Sequence, residues 1–458
     1  MIIEQIYTGC LFQASYYIES NGESAIIDPI REVDLYIDKA TNNNSKIKYV
    51  FETHFHADFV SGHLTLSKKT KSKIIFGPNA KPNYECIIAN DNDEFTIGDL
   101  TIKVLHTPGH TLESVTYLLK DSEGKNYCIF TGDTLFLGDV GRPDLAQVDS
   151  EINPELQAGM LFDSIQNKIL DLDDDVIVYP AHGAGSACGK NMMKITFDTL
   201  GNQKKVNYAL NGSYNREEFV DILIKDLPPA PEYFPSNVSL NINGYNDIDK
   251  ILLNNSKSIP PSNFKNIIES DEVLILDTRS PEKFSNCHIP NSIFIGIDGS
   301  FAPWVGEILK DIKIKILVVV DDDRQTEVFT RLSRVGFDNY IGYLSGGIES
   351  WIENGNETQS IDNISPDEFI NIMNEIKILD VRNEGEINSS SLDNSIKIPL
   401  KTLENNLNKL NQKNKYYIHC AGGYRSMIAA SIMKKNGFNN LVNVSKGYSG
   451  IKKCLISI

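Results

Sequence analysis

Hydrophobic and polar positions alternate in short bursts over the first half of the chain and then change character. The segments "ASYYIES", "SAIIDP", "KYVFETH", "KIIFG", "TIKVLHTPGH", "SVTYLL", "NYCIFTGD" and "VIVYPAHG" are β-like runs bounded by turn residues, with a few helical segments between them, up to about residue 245. All but one of the histidine-bearing motifs end such a run. Polar side chains therefore gather at the C-terminal edge of strands, where loops build sites. The stretch "LPPAPEYFPSN" stops the pattern: Pro228, Pro229, Pro231 and Pro235 predict an extended strap in place of a regular helix, ahead of a new domain near residue 258.

Beyond that strap the pattern repeats itself. "LILDTRSPEKF" at 274–284 recurs as "KILDVRNEGEI" at 377–387, and "RVGFDNYIGYLSGGIESW" at 334–351 recurs as "KNGFNNLVNVSKGYSGIK" at 435–452. The offset of about 100 residues predicts two copies of one α/β domain. In each copy a buried strand, "ILVVV" or "KYYIH", leads into a loop and a helix, as in a parallel sheet with a site at its strand ends. The expected domains are 1–245, 258–357 and 361–458, in keeping with a chain of 458 residues.

Charge narrows the partners. Lys plus Arg number 44 against 61 for Asp plus Glu, and a net charge of −17 gives an acidic surface that repels a phosphate backbone, so nucleic acid is not expected. "MIIEQIYTGC" lacks a basic region followed by an apolar block, and no apolar run approaches the roughly 20 residues of a membrane span. A cytoplasmic protein without a membrane partner is the expectation. The seven cysteines are scattered and never form CxxC, which argues against a disulfide framework or a thiolate zinc site and for reduced thiols.

Five polar residues on separate strand ends carry the first candidate chemistry: His54 and His56 in "THFHAD", His110 in "TPGH", Asp133 in "TGD" and His182 in "PAHG". Imidazole and carboxylate are the ligands of borderline divalent metals. The ordered series HxHxD, H, D, H resembles the metallo-β-lactamase fold, which implies an αββα sandwich over essentially residues 1–240. In two-metal members of that fold the second ion needs Asp58, the histidine after it and the last histidine. Here the middle position is Phe59, which removes a ligand and adds an apolar ring, so a second metal is disfavoured. Two histidines and one carboxylate with open positions suit non-haem Fe(II) acting on O2.

"HADFVSGH", "HTPGHTLESVTYLL", "TGDTLFLGDVGRPDL" and "YPAHGAGSACGK" resemble the persulfide dioxygenase branch of the superfamily. That resemblance implies one Fe(II) per chain on His54, His110 and Asp133, with His56, Asp58 and His182 behind them holding water or orienting ligands. A small-thiol persulfide and O2 would be the substrates, and sulfite and thiol the products. Arg142, nine residues after Asp133, either holds an anionic part of the substrate or forms a salt bridge to Asp144 or Asp139. Cys188, six residues after His182, either faces the metal pocket and reacts with persulfide sulfur, as similar proteins suggest, or is an inert buried thiol.

In the last copy, "YYIHCAGGYRSMIAASIMKKNG" puts Cys420 at a strand end ahead of a helix expected to open at Ser426. Gly422 and Gly423 let the backbone curl so that N–H groups point at the sulfur and stabilise a thiolate and then a persulfide. The loop resembles the six-residue active loop of rhodaneses, which implies that Cys420 carries a sulfane sulfur and that Arg425 positions an anionic donor or acceptor. The middle copy keeps "LDTRSPEKF" and "HIPNS", but its loop reads "VVVDDDRQTEV". With no cysteine there, and with Asp321, Asp322 and Asp323 repelling anions, it is expected to be catalytically silent, a spacer or docking surface. The last copy has "SSSLDNSIKIP" where "GHIPGA"-like residues are usual.

The whole order resembles CstB-type persulfide dioxygenase-sulfurtransferases. It implies sulfite made at one site and converted to thiosulfate at the other, in a homo-oligomer, dimer or tetramer. Two other readings compete: a thiolester hydrolase of the glyoxalase II kind with an appended sulfurtransferase, and a persulfide carrier or sensor with a structural metal.

Overall fold

The computed structural model describes residues 1–145 and 153–456. These divide into two compact units, one built on Met1–Lys250 and the other on Ile251–Leu332 and Phe337–Ile458. The first unit holds two six-stranded sheets. Ile2–Thr8, Gln13–Ser20, Glu23–Ile27, Lys46–Phe51, Lys73–Phe76 and Ile87–Ile88 form one, in that order; Asp198–Thr199, Ile177–Pro180, Asn126–Gly132, Val115–Lys120, Leu100–His106 and Glu94–Ile97 form the other.

The period of two in "ASYYI" explains the layering, because successive side chains leave opposite faces of a strand. Ala14, Tyr16 and Ile18 point between the sheets, where they meet Phe51, Ile102, Tyr117 and Phe130. Tyr17 points the other way, into a layer with Ile26, Tyr36, Val50 and Leu66. On the far side, Leu161, Ile165, Leu200 and Phe219 bring helices against the outer face of the second sheet. Helices thus cover both outer faces, the expected αββα sandwich.

The strap differs from expectation. Residues 226–232 are not helical, but a helix runs Phe234–Asn243 with Pro235 in its first turn. A proline there loses nothing, since the first N–H groups of a helix have no internal partner.

In the second unit the two copies form five-stranded parallel sheets of identical order: Ser258–Ile259, Tyr340–Leu344, Ile316–Val319, Leu274–Asp277, Ile293–Phe294, and Asp362–Ile364, Leu441–Val444, Tyr416–His419, Lys377–Asp380, Ser395–Lys397. The repeated "LDxR" has a physical basis. Arg279 and Arg382 are buried and pair with Asp277 and Asp380, each at 2.6 Å, and donate to the carbonyls of Cys287 (2.7 Å) and Ser390 (2.8 Å). Ser390 lies in "SSSLDNSIKIP", so this departure from the usual sequence keeps the acceptor that the buried arginine requires.

Candidate metal centre and cysteine loop

His54, His110 and Asp133 come together from three strand ends, all buried, with one donor atom of each within 4.8 Å of the others. The Nε2 atoms of His54 and His110 stand 3.9 and 3.5 Å from Asp133 Oδ2, and the two rings meet edge to face. Each imidazole is oriented from behind. His110 Nδ1 donates to the Arg142 carbonyl at 2.7 Å. His54 Nδ1 donates to Thr53 Oγ1 at 3.0 Å, while that hydroxyl donates to Asp28 at 2.8 Å. Both Nε2 lone pairs are thereby left facing Asp133, the tautomer a metal requires. Asp133 Oδ2 is buried and has no hydrogen-bond donor among the described residues. An orphaned carboxylate oxygen between two imidazole nitrogens fits a divalent cation, since ligands about 2.1 Å from one ion lie roughly 3–3.5 Å apart.

His182 does something different. Its Nδ1 and Nε2 contact Asp133 Oδ1 at 2.7 Å and Asp58 Oδ2 at 2.9 Å. Burial opposes its charge, but Asp133 and Asp58 outweigh burial and raise its pKa well above the ordinary histidine value. Burial likewise opposes ionisation of Asp133, yet His182, His54 and His110 hold that carboxyl well below the usual range. His56 turns to another set of partners, its Nε2 lying 3.2 Å from Asp28 and 3.6 Å from Glu52, with the Phe59 ring packed over it at 4.4 Å. Phe59 is fully buried. A further buried pair, His63 and Glu52, lies behind it at 3.5 Å.

The two ambiguous residues receive definite positions. Arg142 is buried; its guanidinium donates to Asp144 (3.0 and 2.7 Å), to the Ala187 carbonyl (3.4 Å) and to the Pro228 carbonyl (2.5 Å). The salt bridge to Asp144 is thus formed, and it is the Arg142 backbone carbonyl that meets His110. Cys188 lies with Asp58 and His182 in a cluster whose donor atoms are within 4.8 Å. Burial, then the Asp133 and Asp58 carboxylates, push its thiol well above the ordinary cysteine range.

Asp28, Glu52 and Asn241 belong to the site and carry no motif that a sequence reader would select. Asn241, on the helix that follows the prolines, donates to the carbonyls of His56 (2.7 Å) and Phe59 (2.9 Å) and accepts from the Ser61 N–H (3.0 Å). Asn241→Ala leaves all three buried groups unpaired. It is expected to lower stability by about 1–3 kcal/mol and metal affinity by about tenfold, read by thermal melting and by metal titration.

In the second unit, the strand Tyr416–His419 delivers Cys420 to the start of a helix that runs Tyr424–Lys435, opening two residues earlier than expected. Cys420 is buried; its Sγ accepts from the Gly423 N–H at 3.1 Å and lies 3.4 Å from Ser426 Oγ. Gly423 needs its freedom, with φ of +99°, whereas Gly422 is exposed and a side chain there would meet nothing. Arg425 forms a two-pronged ion pair with Glu386 at 2.6 and 2.8 Å. Burial opposes its charge, but Glu386 and the neighbouring Cys420 raise its pKa further. The middle copy keeps the loop's shape without its chemistry. Val320 replaces the cysteine, Asp323 takes the left-handed turn at φ +65°, Gln325 stands where the last copy has Arg425, and Lys283, at the position of Glu386, pairs with Asp321 at 2.7 Å.

Residues 8–182 match the Metallo-beta-lactamase superfamily, and 260–354 and 365–454 each match the Rhodanese-like domain. A crystal structure of a metallo-beta-lactamase from Staphylococcus aureus subsp. aureus COL is 33% identical with a TM-score of 0.67, covering 75% of this chain and 99% of its own. The chain belongs to the metallo-beta-lactamase superfamily. It adds two rhodanese-like domains to that fold, a fold that binds metal ions, and it carries buried clusters of His and Asp side chains. A cytoplasmic hydroxyacylglutathione hydrolase of Arabidopsis thaliana is 36% identical over 132 residues, 28% of this chain, which spans about half (51%) of that relative. The crystal structure of ETHE1 from Myxococcus xanthus is 28% identical with a TM-score of 0.45, covering 53% of this chain and 98% of its own. No helix among the described residues is long and apolar enough to cross a membrane.

Proposed function

We propose that this metallo-beta-lactamase superfamily member oxidises a small-thiol persulfide with O2 at a single iron held by His54, His110 and Asp133, and transfers sulfane sulfur through Cys420. The observation that carries the reading is the dismantled second site. Phe59 supplies no ligand and both His182 nitrogens contact carboxylates, which disfavours a second ion beside Asp58; His54, His110 and Asp133 converge, and two further buried sets, Asp58 with His182 and Cys188 and Asp28 with Glu52 and His56, lie beside them. Two imidazoles and one carboxylate with remaining positions open suit iron(II), which when bound supplies the redox coupling of persulfide sulfur to O2. His182 holds Asp133 through its other oxygen and so fixes the direction of Oδ2. Phe59, fully buried against the His56 ring, puts an apolar group where a ligand would stand.

The overall change balances as RSS⁻ + O2 + H2O giving RS⁻ + SO3²⁻ + 2H⁺. At the second site, the Cys420 thiolate attacks the outer sulfur of a persulfide and the carrier thiolate leaves with the electron pair of the broken S–S bond. Sulfite then attacks the Cys420 persulfide, forming thiosulfate and regenerating the thiolate.

Similarity to hydroxyacylglutathione hydrolase keeps thiolester hydrolysis as the competing reading. Anaerobic metal analysis followed by oxygen uptake against a panel of small-thiol persulfides separates them: one iron per chain and O2 consumption support the proposal. Two tightly bound zinc ions with thiolester cleavage overturn it. Phe59→His restores a donor beside Asp58 and His182, and it is expected to admit a second divalent ion in zinc titration without creating a natural activity.

A further inference from the structure

We propose that the rhodanese-like copy lacking a cysteine is the positioning element for Cys420, acting through Tyr424 and the space Gly299 leaves for its ring. This rests on the reading of Cys420 as a sulfur carrier. Tyr424 follows Gly423 directly and is the first residue of the helix Tyr424–Lys435. Its hydroxyl donates to the Gly296 carbonyl at 2.7 Å, an acceptor in the other copy. Its ring meets Phe294 of that copy edge-on at 5.8 Å. One further bond ties the same helix down, the Phe294 N–H donating to Ser431 Oγ at 3.1 Å. The fit is close, for a methyl group on Gly299 would lie 2.4 Å from Tyr424 Cζ and 2.5 Å from Cε2.

These contacts bear on the sulfur because of where the anchor sits. The peptide N–H that reaches Cys420 Sγ, at 3.1 Å, belongs to Gly423, the residue joined to Tyr424. Carbon atoms pack at about 3.5–4.0 Å, so a side chain on Gly299 drives the ring away by roughly 1 Å. The first turn of the helix and its donor follow, and a shift of that size costs a reaction about 100-fold when it misplaces an attacking group. The anchor is used in one direction only. In the cysteine-free copy Arg324 stands at the equivalent position and pairs with Asp298 at 2.7 Å and Glu327 at 2.9 Å. A copy that cannot carry sulfur thus keeps a task, which is to hold the loop that can.

The test uses the full chain, with thiosulfate as donor and cyanide as acceptor. The Cys420 thiolate takes the outer sulfur and releases sulfite; cyanide then removes that sulfur as thiocyanate and returns the thiolate. Gly299→Val is expected to lower kcat about 10- to 100-fold with KM for thiosulfate within about threefold, because no substrate contact is lost. Tyr424→Phe, lacking only the hydroxyl, is expected to lower kcat about threefold. In a Tyr424→Ala background Gly299→Val should add less than about twofold, since its effect passes through the ring. Should Gly299→Val fail to fold, Gly299→Ala carries the same cycle. Turnover like the parent, or losses that multiply independently of Tyr424, overturn the proposal. Absence of thiocyanate formation in the parent, or its persistence in Cys420→Ser, instead removes the sulfur-carrier reading, and this proposal with it.

Discussion

His110→Ala or Asp133→Ala is expected to abolish metal binding and oxygen uptake while sulfur transfer through Cys420 continues. Each substitution removes one of three protein donors, and the remaining imidazole and carboxylate, or pair of imidazoles, cannot fix an open site. The two variants should differ in stability. Asp133→Ala takes one carboxylate from His182, a buried group that contacts Asp133 at 2.7 Å and Asp58 at 2.9 Å, and a stranded buried charge costs about 3–5 kcal/mol. His110→Ala leaves that arrangement intact and gives up a hydrogen bond to the Arg142 carbonyl, so it is the cleaner probe. Cys420 should be indifferent to both, because it belongs to the other compact unit. Metal content, oxygen uptake with small-thiol persulfides, and thiocyanate formation measured on the same preparation decide the matter. Full metal occupancy with an undiminished oxygen rate in either variant would show that the ligands have been misassigned.

The clustering of His54, His110 and Asp133 is legible in the sequence because each follows a strand run that alternation alone marks out. Their support was not legible. Asp28 closes "SAIID" like any turn residue, and Asn241 lies beyond four prolines, yet the one orients His54 through Thr53 and the other holds the backbone of His56, Phe59 and Ser61. Such partners are chosen by tertiary proximity, which spacing does not encode. Pro235 is ambiguous for a related reason: a proline breaks a helix from within but begins one freely, and only the position of the first turn distinguishes these cases.

The repeat folds as two α/β copies with sheets of identical strand order, and the two copies differ at the loop that carries the sulfur position. Glu386 and Lys283 stand at equivalent positions of the two copies with opposite charge, and Glu386 pairs with Arg425 where Lys283 pairs with Asp321. The partners are not equivalent, since Arg425 comes five residues after Cys420 and Asp321 directly follows Val320. What differs is the sign presented beside the sulfur position. Arg425 brings a cation to the thiol, whereas Asp321 brings an anion to Val320, and only the first arrangement suits a site that must meet sulfite or thiosulfate.

Cys420→Ser is expected to change the product without changing the rate of oxygen consumption. Serine is slightly smaller and keeps an acceptor beside the Gly423 N–H and Ser426, so the loop should keep its form, but an alcohol cannot accept a sulfane sulfur and form a persulfide. Sulfite made at the metal centre then has no protein-bound sulfur to attack. It should accumulate, and thiosulfate should fall to the level formed without enzyme, a loss of about 100-fold or more relative to the parent. Measuring sulfite and thiosulfate separately, with that uncatalysed reaction subtracted, makes the result decisive. Undiminished thiosulfate from Cys420→Ser would mean that sulfur transfer occurs elsewhere. Cys188 would then be the residue to replace next, because its thiol clusters with Asp58 and with His182, which contacts Asp133.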